Sequence, residues 1–152
     1  MSSVSKPEKI PDSFGALISH VRCELIRALD REFHAHAIDI RFTSFLLLKK
    51  LVVLGPVTAG ELAQAIDLDA GAMTRQLDQL EKKGLLRRVR HEQDRRALRI
   101  EVTPAGLEMN RKSMLHADRV LATAQQALQP DEIDKLNDYL RRVLETLRSG
   151  VS

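Results

Sequence analysis

Six arginines crowd the segment from 87 to 99: Arg87, Arg88, Arg90, Arg95, Arg96 and Arg99. No lysine stands among them, and only Glu92 and Asp94 oppose their charge. A guanidinium is permanently charged and presents a planar fork of donors that suits phosphate. The narrow minor groove of DNA concentrates negative potential and draws such a group in. A charge run is more often a solvated face. Here the run follows directly on a segment punctuated like two short helices around a turn, which weighs toward a partner.

The other reactive side chains are sparse. Cys23 is the single cysteine, so an intramolecular disulfide framework and a cysteine zinc site are excluded. Arg22 and Arg27 flank it and favour a thiolate. On a helical wheel, however, Cys23 falls about 180° from Phe14, off the Val21/Leu25 stripe. An ordinary cysteine is the simpler reading, and a redox sensor using Cys23 is the alternative. His20, His34, His36, His91 and His116 are dispersed. His34 and His36, two apart, point to different sides of a helix and make a poor metal pair. No metal site and no cofactor are expected. An organic anion could recruit His20, Arg41 or His116 near the helix junctions. No Ser-His-Asp, Cys-His or glycine-rich phosphate arrangement stands out, so an enzyme is not expected.

The elements that position the arginines follow from hydrophobic period and punctuation. Phe14, Leu17, Ile18, Val21, Leu25, Ala28 and Leu29 predict an amphipathic helix over 12–35, capped by Asp12. Phe42, Phe45, Leu46, Leu47, Leu48, Leu51, Val52 and Val53 predict a second helix over 42–54, apolar nearly all round and therefore central in a core. Gly55-Pro56 breaks the chain. Thr58-Ala59-Gly60-Glu61 has the form of a capping box and starts a short helix through Ile66. Asp67-Leu68-Asp69 is a turn, with Asp69 placed to cap a helix over 70–83 that Gly84 ends. Val89, Leu98, Ile100 and Val102 alternate with polar residues and predict a hairpin of two short strands. Thr103-Pro104 opens a helix to about Leu128. A last helix follows Gln129-Pro130, with Ile133, Leu136, Leu140, Val143 and Leu147 in a coiled-coil-like seam.

This order predicts a mainly α fold with a small β-hairpin wing: a winged helix-turn-helix flanked by N- and C-terminal helices. A helix fits the major groove, where base edges offer a full donor and acceptor code. Composition agrees. Hydrophobic residues are 43% and charged residues 30%, as in a soluble globular chain, and aromatics at 3% favour a Leu-rich helical core. The net charge of +3 permits nucleic-acid binding without establishing it. Residues 1–11 read as a loose arm without the apolar region of a signal peptide. No apolar run reaches the roughly 20 residues that span a bilayer, so no membrane association and a cytoplasmic location are expected.

Three stretches together resemble the MarR family of transcriptional regulators: Leu77-Asp78-Gln79-Leu80-Glu81-Lys82-Lys83-Gly84-Leu85, Asp94-Arg95-Arg96, and Leu98 through Gly106. The resemblance spans essentially the whole chain and is weakest over 1–11. It implies a single domain, 1–152, with dimerisation helices in 1–40 and 105–152 and the winged helix-turn-helix in 41–104. It implies a homodimer on a pseudo-palindromic site in double-stranded DNA, a repressor loosened by a small phenolic or anionic effector. By the same resemblance Arg96 enters the minor groove, Asp94 orients a wing arginine and Arg95 contacts the DNA backbone. Arg75 matches an arginine that reads guanine, with Thr74 and Gln76 beside it. Gly71 and Ala72, with Ala70, stand where the family often has Ser or Pro, so the helix end approaches DNA closely and lacks hydroxyl contacts. Arg88 joins the DNA-contacting set, against the reading that Arg87 and Arg88 merely flank a strand in solvent. Arg75 has its own bland alternative, a surface pair with Asp69 or Asp78. A winged-helix protein-interaction module without DNA binding is the remaining alternative, and it would have no need of six arginines in the wing.

Overall fold

The computed structural model describes residues 9–10, 12–66, 69–90, 93 and 97–150. Asp94, Arg95 and Arg96 lie outside the described residues, as do His91 and Glu92. The described elements are helices α1 (Phe14–Ala35), α2 (Phe42–Leu54), α3 (Ala59–Ala65), α4 (Ala70–Lys82), α5 (Pro104–Ala124) and α6 (Pro130–Arg148). Strands β1 (Val57–Thr58), β2 (Leu86–Arg90) and β3 (Leu98–Val102) form one antiparallel sheet in the order β1-β3-β2. The mainly α, winged helix-turn-helix class read from the sequence is the fold observed.

Helix α1 begins later than expected. Its N-cap is Ser13, not Asp12. Asp12 thus sits outside the position from which a side-chain oxygen reaches the free N–H groups of the first turn. The C-terminal half of α1 buries Leu29 and Phe33, while Phe14, Ile18 and Val21 nearer its start are exposed. Phe33 meets Phe45 of α2 edge to face, with ring centroids 5.5 Å apart. The Asp30 carboxylate accepts a 2.8 Å hydrogen bond from the Phe42 N–H. One carboxylate therefore satisfies an otherwise orphan donor at the start of α2 and pins that helix to α1.

Helix α2 occupies its expected span but is not buried all round. Leu47, Leu48 and Leu51 are buried completely or nearly so, whereas Val53 is 75% exposed and Leu46 42% exposed. The helix packs against α1, α4, α5 and β3, and these neighbours cover one side of it only. Strand β1 was not anticipated. It has two residues, Val57 and Thr58, which pair with Ile100 and Arg99; two residues carry no detectable alternation. In the hairpin Arg87 lies opposite Glu101, Arg88 opposite Ile100 and Arg90 opposite Leu98.

The wing is welded to α5. Thr103 caps α5, accepting from the Gly106 N–H at 3.1 Å, and its hydroxyl donates to the Gly84 carbonyl at 2.6 Å. The Thr103 N–H donates to the Leu85 carbonyl at 3.1 Å. A Cβ at Gly106 would stand 2.0 Å from that carbonyl oxygen. The Thr-Pro-Ala-Gly sequence is thus a close packing of helix start on wing base, open to glycine alone at its fourth position. Helix α5 ends at Ala124, before the expected Leu128, and turns lead to α6. Helix α6 starts as expected but buries none of its residues: Leu136, Leu140 and Leu147 of the expected seam are exposed.

Candidate nucleic-acid interface

The helix-turn-helix is built by local capping. Thr58 Oγ1 accepts from the Glu61 N–H at 3.2 Å while the Glu61 carboxylate accepts from the Thr58 N–H at 2.8 Å. This reciprocal box starts α3, which buries Leu62. At the start of α4 the Asp69 carboxylate accepts from the Ala72 N–H at 3.1 Å. At its end Gly84 adopts φ +71°, and the Leu85 N–H reaches back to the Leu80 carbonyl at 3.0 Å. That left-handed glycine turns the chain out of α4 and into β2.

Between those caps α4 is amphipathic. Met73, Leu77 and Leu80 point into the core. At 100° per residue the opposite face carries Gly71, Thr74, Arg75, Asp78 and Lys82, and all five are exposed. Arg75 makes no hydrogen bond or ion pair with any described residue. Its two candidate partners are otherwise engaged: Asp69 caps the helix and Asp78 pairs with Arg88. The arginine at the centre of this face is therefore available. Small side chains at Gly71 and Ala72 keep the helix start slender; Ala72 is half-buried.

Gln76 is tied within the protein. It is half-buried, and its side-chain carbonyl accepts a hydrogen bond from the Ser44 hydroxyl of α2. Its position beside the Met73–Leu77–Leu80 stripe turns it inward, so it fastens α4 to α2. Arg88 is engaged likewise. Its guanidinium spans two carboxylates of α4, Asp78 Oδ1 and Glu81 Oε2, each at 3.0 Å, and its side chain is 27% exposed. A fork held by two carboxylates is neutralised and oriented. Arg88 is placed as a strut between wing and helix rather than as a group facing outward.

The other described arginines of the hairpin divide the same way. Arg87 pairs across the ladder with Glu101 at 3.0 Å. Arg99 donates to the Pro56 carbonyl at 3.3 Å and lies 4.0 Å from Glu61. Arg90, at the outer end of β2, is exposed, and its side chain makes no ion pair with a described residue.

A cavity of about 550 Å³ opens where α1, the α1–α2 connection and α4 meet. Arg31, His34, Asp39, Arg41, Gln79 and Lys83 line it. Lys83, just past α4, reaches Asp39 at 2.6 Å. Of the residues considered for an organic anion, Arg41 is on this wall. His20 instead lies against the Ala16 carbonyl on α1, 2.8 Å away, and His116 packs between α1 and α5. Cys23 is exposed on α1. Among the described residues no helix is long and apolar enough to cross a membrane.

A three-helix core in which α4 bears an outward arginine, followed by a wing braced to that helix, defines a winged helix-turn-helix. Residues 41–98 match the model of the MarR family. Among curated relatives, the HTH-type transcriptional regulator SarZ of Staphylococcus haemolyticus is 27% identical over 141 residues, covering 89% of this chain and 92% of that one. The multiple antibiotic resistance protein MarR of Salmonella typhimurium is 34% identical over 92 residues, covering 60% of this chain and 62% of that one. Among solved structures, a cysteine-to-serine mutant of Escherichia coli MarR complexed with operator DNA superposes with a TM-score of 0.77 at 27% identity, covering 86% of this chain and 92% of that one. SarZ is described as a transcriptional regulator, and the MarR structure holds operator DNA.

Proposed function

We propose that the chain acts as a homodimeric repressor that binds a pseudo-palindromic site in duplex DNA and lets go when a small anionic ligand fills the junction cavity. The observation that carries the DNA reading is the exposed face of α4, with Arg75 unpaired at its centre while Arg87 and Arg88 are spent on bracing the wing. Arg75 reads base edges in the major groove, where a guanidinium fork matches the two acceptors of guanine. Thr74 and the slender helix start around Gly71 and Ala72 meet the backbone. The wing tip, with Arg95 and Arg96, reaches the minor groove, Arg96 entering it and Asp94 orienting its neighbour.

The dimer is supported by apolar surface that the described residues leave exposed. Phe14, Leu17, Ile18 and Val21 of α1 and Leu136, Leu140, Leu144 and Leu147 of α6 are all exposed. Such stripes on the first and last helices call for a second copy, and two copies give the two-fold arrangement that reads a pseudo-palindrome. The effector reading is supported by the cavity's three cations, Arg31, Arg41 and Lys83, against Asp39 and Asp30. They suit a carboxylate or phenolate. Because Gln79 and Lys83 lie on or just past α4, a ligand there pushes on the recognition helix itself.

Titration of a fluorescent duplex at increasing salt tests the DNA reading. Affinity should fall steeply with salt as phosphate contacts are lost; an absence of binding even at low salt would refute it. Arg96→Ala should weaken binding while leaving the unfolding transition in place.

A further inference from the structure

Where α1 packs on α5, three ligand-type side chains converge that the DNA-binding role does not use. Glu32 of α1 and His36, which caps the end of that helix, stand four apart in sequence. His116 comes from α5, its side chain 8% exposed. Glu32 Oε1 lies 2.7 Å from His116 Nδ1 and 3.3 Å from His36 Nδ1. The two imidazoles lie 4.1 Å apart between centroids, with their planes tilted by 39°. One ligand atom from each residue falls within 4.8 Å of the other two.

We propose that Glu32, His36 and His116 form a binding site for a divalent transition metal, zinc above all, that clips α1 to α5. Two imidazoles and one carboxylate are borderline donors that suit zinc over magnesium or calcium, which prefer all-oxygen shells. Zinc bonds of about 2.0–2.2 Å to nitrogen and oxygen put tetrahedral ligand atoms roughly 3.4 Å apart. The Glu32–His36 spacing already meets that value, and the Glu32–His116 pair has to open by less than 1 Å, on the order of a small ring rotation. The main-chain oxygen of Glu32 lies 3.0 Å from His36 Nδ1, a hydrogen bond that the ring gives up when Nδ1 coordinates the ion. Arg119 adds a positive charge near Glu32 and opposes a cation; it is exposed, so water screens it.

Three protein ligands leave a fourth position open. Glu32 also lines a cleft of about 680 Å³ between α1 and α5, with Ala28, Arg119 and Val120. A water or an anionic ligand fits that position. Helix α5 starts at the wing base, where Gly106 packs on Leu85. A clip between α1 and α5 therefore fixes the wing and α4 relative to the helix bearing the exposed apolar stripe. This regulatory consequence rests on the proposed DNA-binding dimer, whereas the site does not.

The untagged full-length chain, titrated with Zn²⁺ against a chromophoric chelator, tests the site. The expected result is one ion per chain, with Glu32→Gln and His36→Ala each weakening binding at least tenfold and Cys23→Ser leaving it unchanged. His36 is on the surface, so its loss does not threaten the core, and its variant stays informative should a His116 variant unfold. Co²⁺ should give the visible bands of a four-coordinate ion with nitrogen ligands, lost in His36→Ala. Equal Zn²⁺ affinity in the wild type, Glu32→Gln and His36→Ala would overturn the site. The duplex titration is then repeated with and without Zn²⁺. Metal-free binding that fails at low salt counts against the DNA reading alone. DNA affinity that responds equally to Zn²⁺ in the wild type and His36→Ala overturns the regulatory clip.

Discussion

The outward face of α4 and the hairpin beside it are both marked by arginine, yet they use it in opposite ways. Arg75 stands exposed with no partner among the described residues, while Arg87 and Arg88 are tied to Glu101, Asp78 and Glu81. Arg99 is turned inward onto the Pro56 carbonyl. The difference teaches that a basic segment is not the same as available positive charge. Carboxylates on the facing elements decide which guanidinium groups brace the fold and which remain to meet a ligand.

Breaking the brace at its base should have the largest effect. Gly106→Ala forces a methyl group to within 2.0 Å of the Leu85 carbonyl oxygen. A loss of about 3 kcal/mol in denaturant unfolding is expected, and DNA affinity should fall with it. Arg75→Ala should do the reverse: an unfolding midpoint like the wild type, with about 1–3 kcal/mol lost in binding to a selected site. Arg88→Ala falls between the two roles. Removing the strut should lower stability by about 1 kcal/mol, since its pairs are only partly shielded, and should weaken binding to all sequences alike.

The smallest effect belongs to a pair remote from the interface. Arg111 donates to Glu108 at 2.6 Å and holds its carboxyl below the usual range. A lowered carboxyl pKa supports the fold above the unfolded-chain value and ceases to do so as pH falls through the folded one. Arg111→Ala should return the Glu108 titration, followed by NMR, toward its ordinary range. Both residues are surface-exposed, so thermal unfolding should not move measurably.

What could be read from the sequence was what is local. The Thr58–Glu61 box, the Asp69 cap, the left-handed Gly84 and the proline starts of α5 and α6 all act within a few residues, and each stands where the pattern put it. What could not be read depends on partners far along the chain. Gln76 is turned inward by Ser44, 32 residues away, and Glu32 meets His116 across 84 residues. Arg88 is claimed by Asp78 and Glu81, on a helix packed beside its strand. The E-x-x-x-H spacing of Glu32 and His36 was visible, but it gains meaning only once α5 supplies the third ligand. Leu46 and Val53 of α2 show the same limit from the other side: an apolar helix does not itself say how many neighbours will cover it.

The most direct measurement compares the affinity of the wild type, Arg75→Ala and Arg88→Ala for a duplex selected from a random pool and for an unselected duplex at one salt concentration. The expected result is that Arg75→Ala loses tenfold or more on the selected duplex and little on the other, while Arg88→Ala lowers both together. Arg75→Ala binding both duplexes as the wild type does would contradict the assignment of base reading to the exposed face of α4.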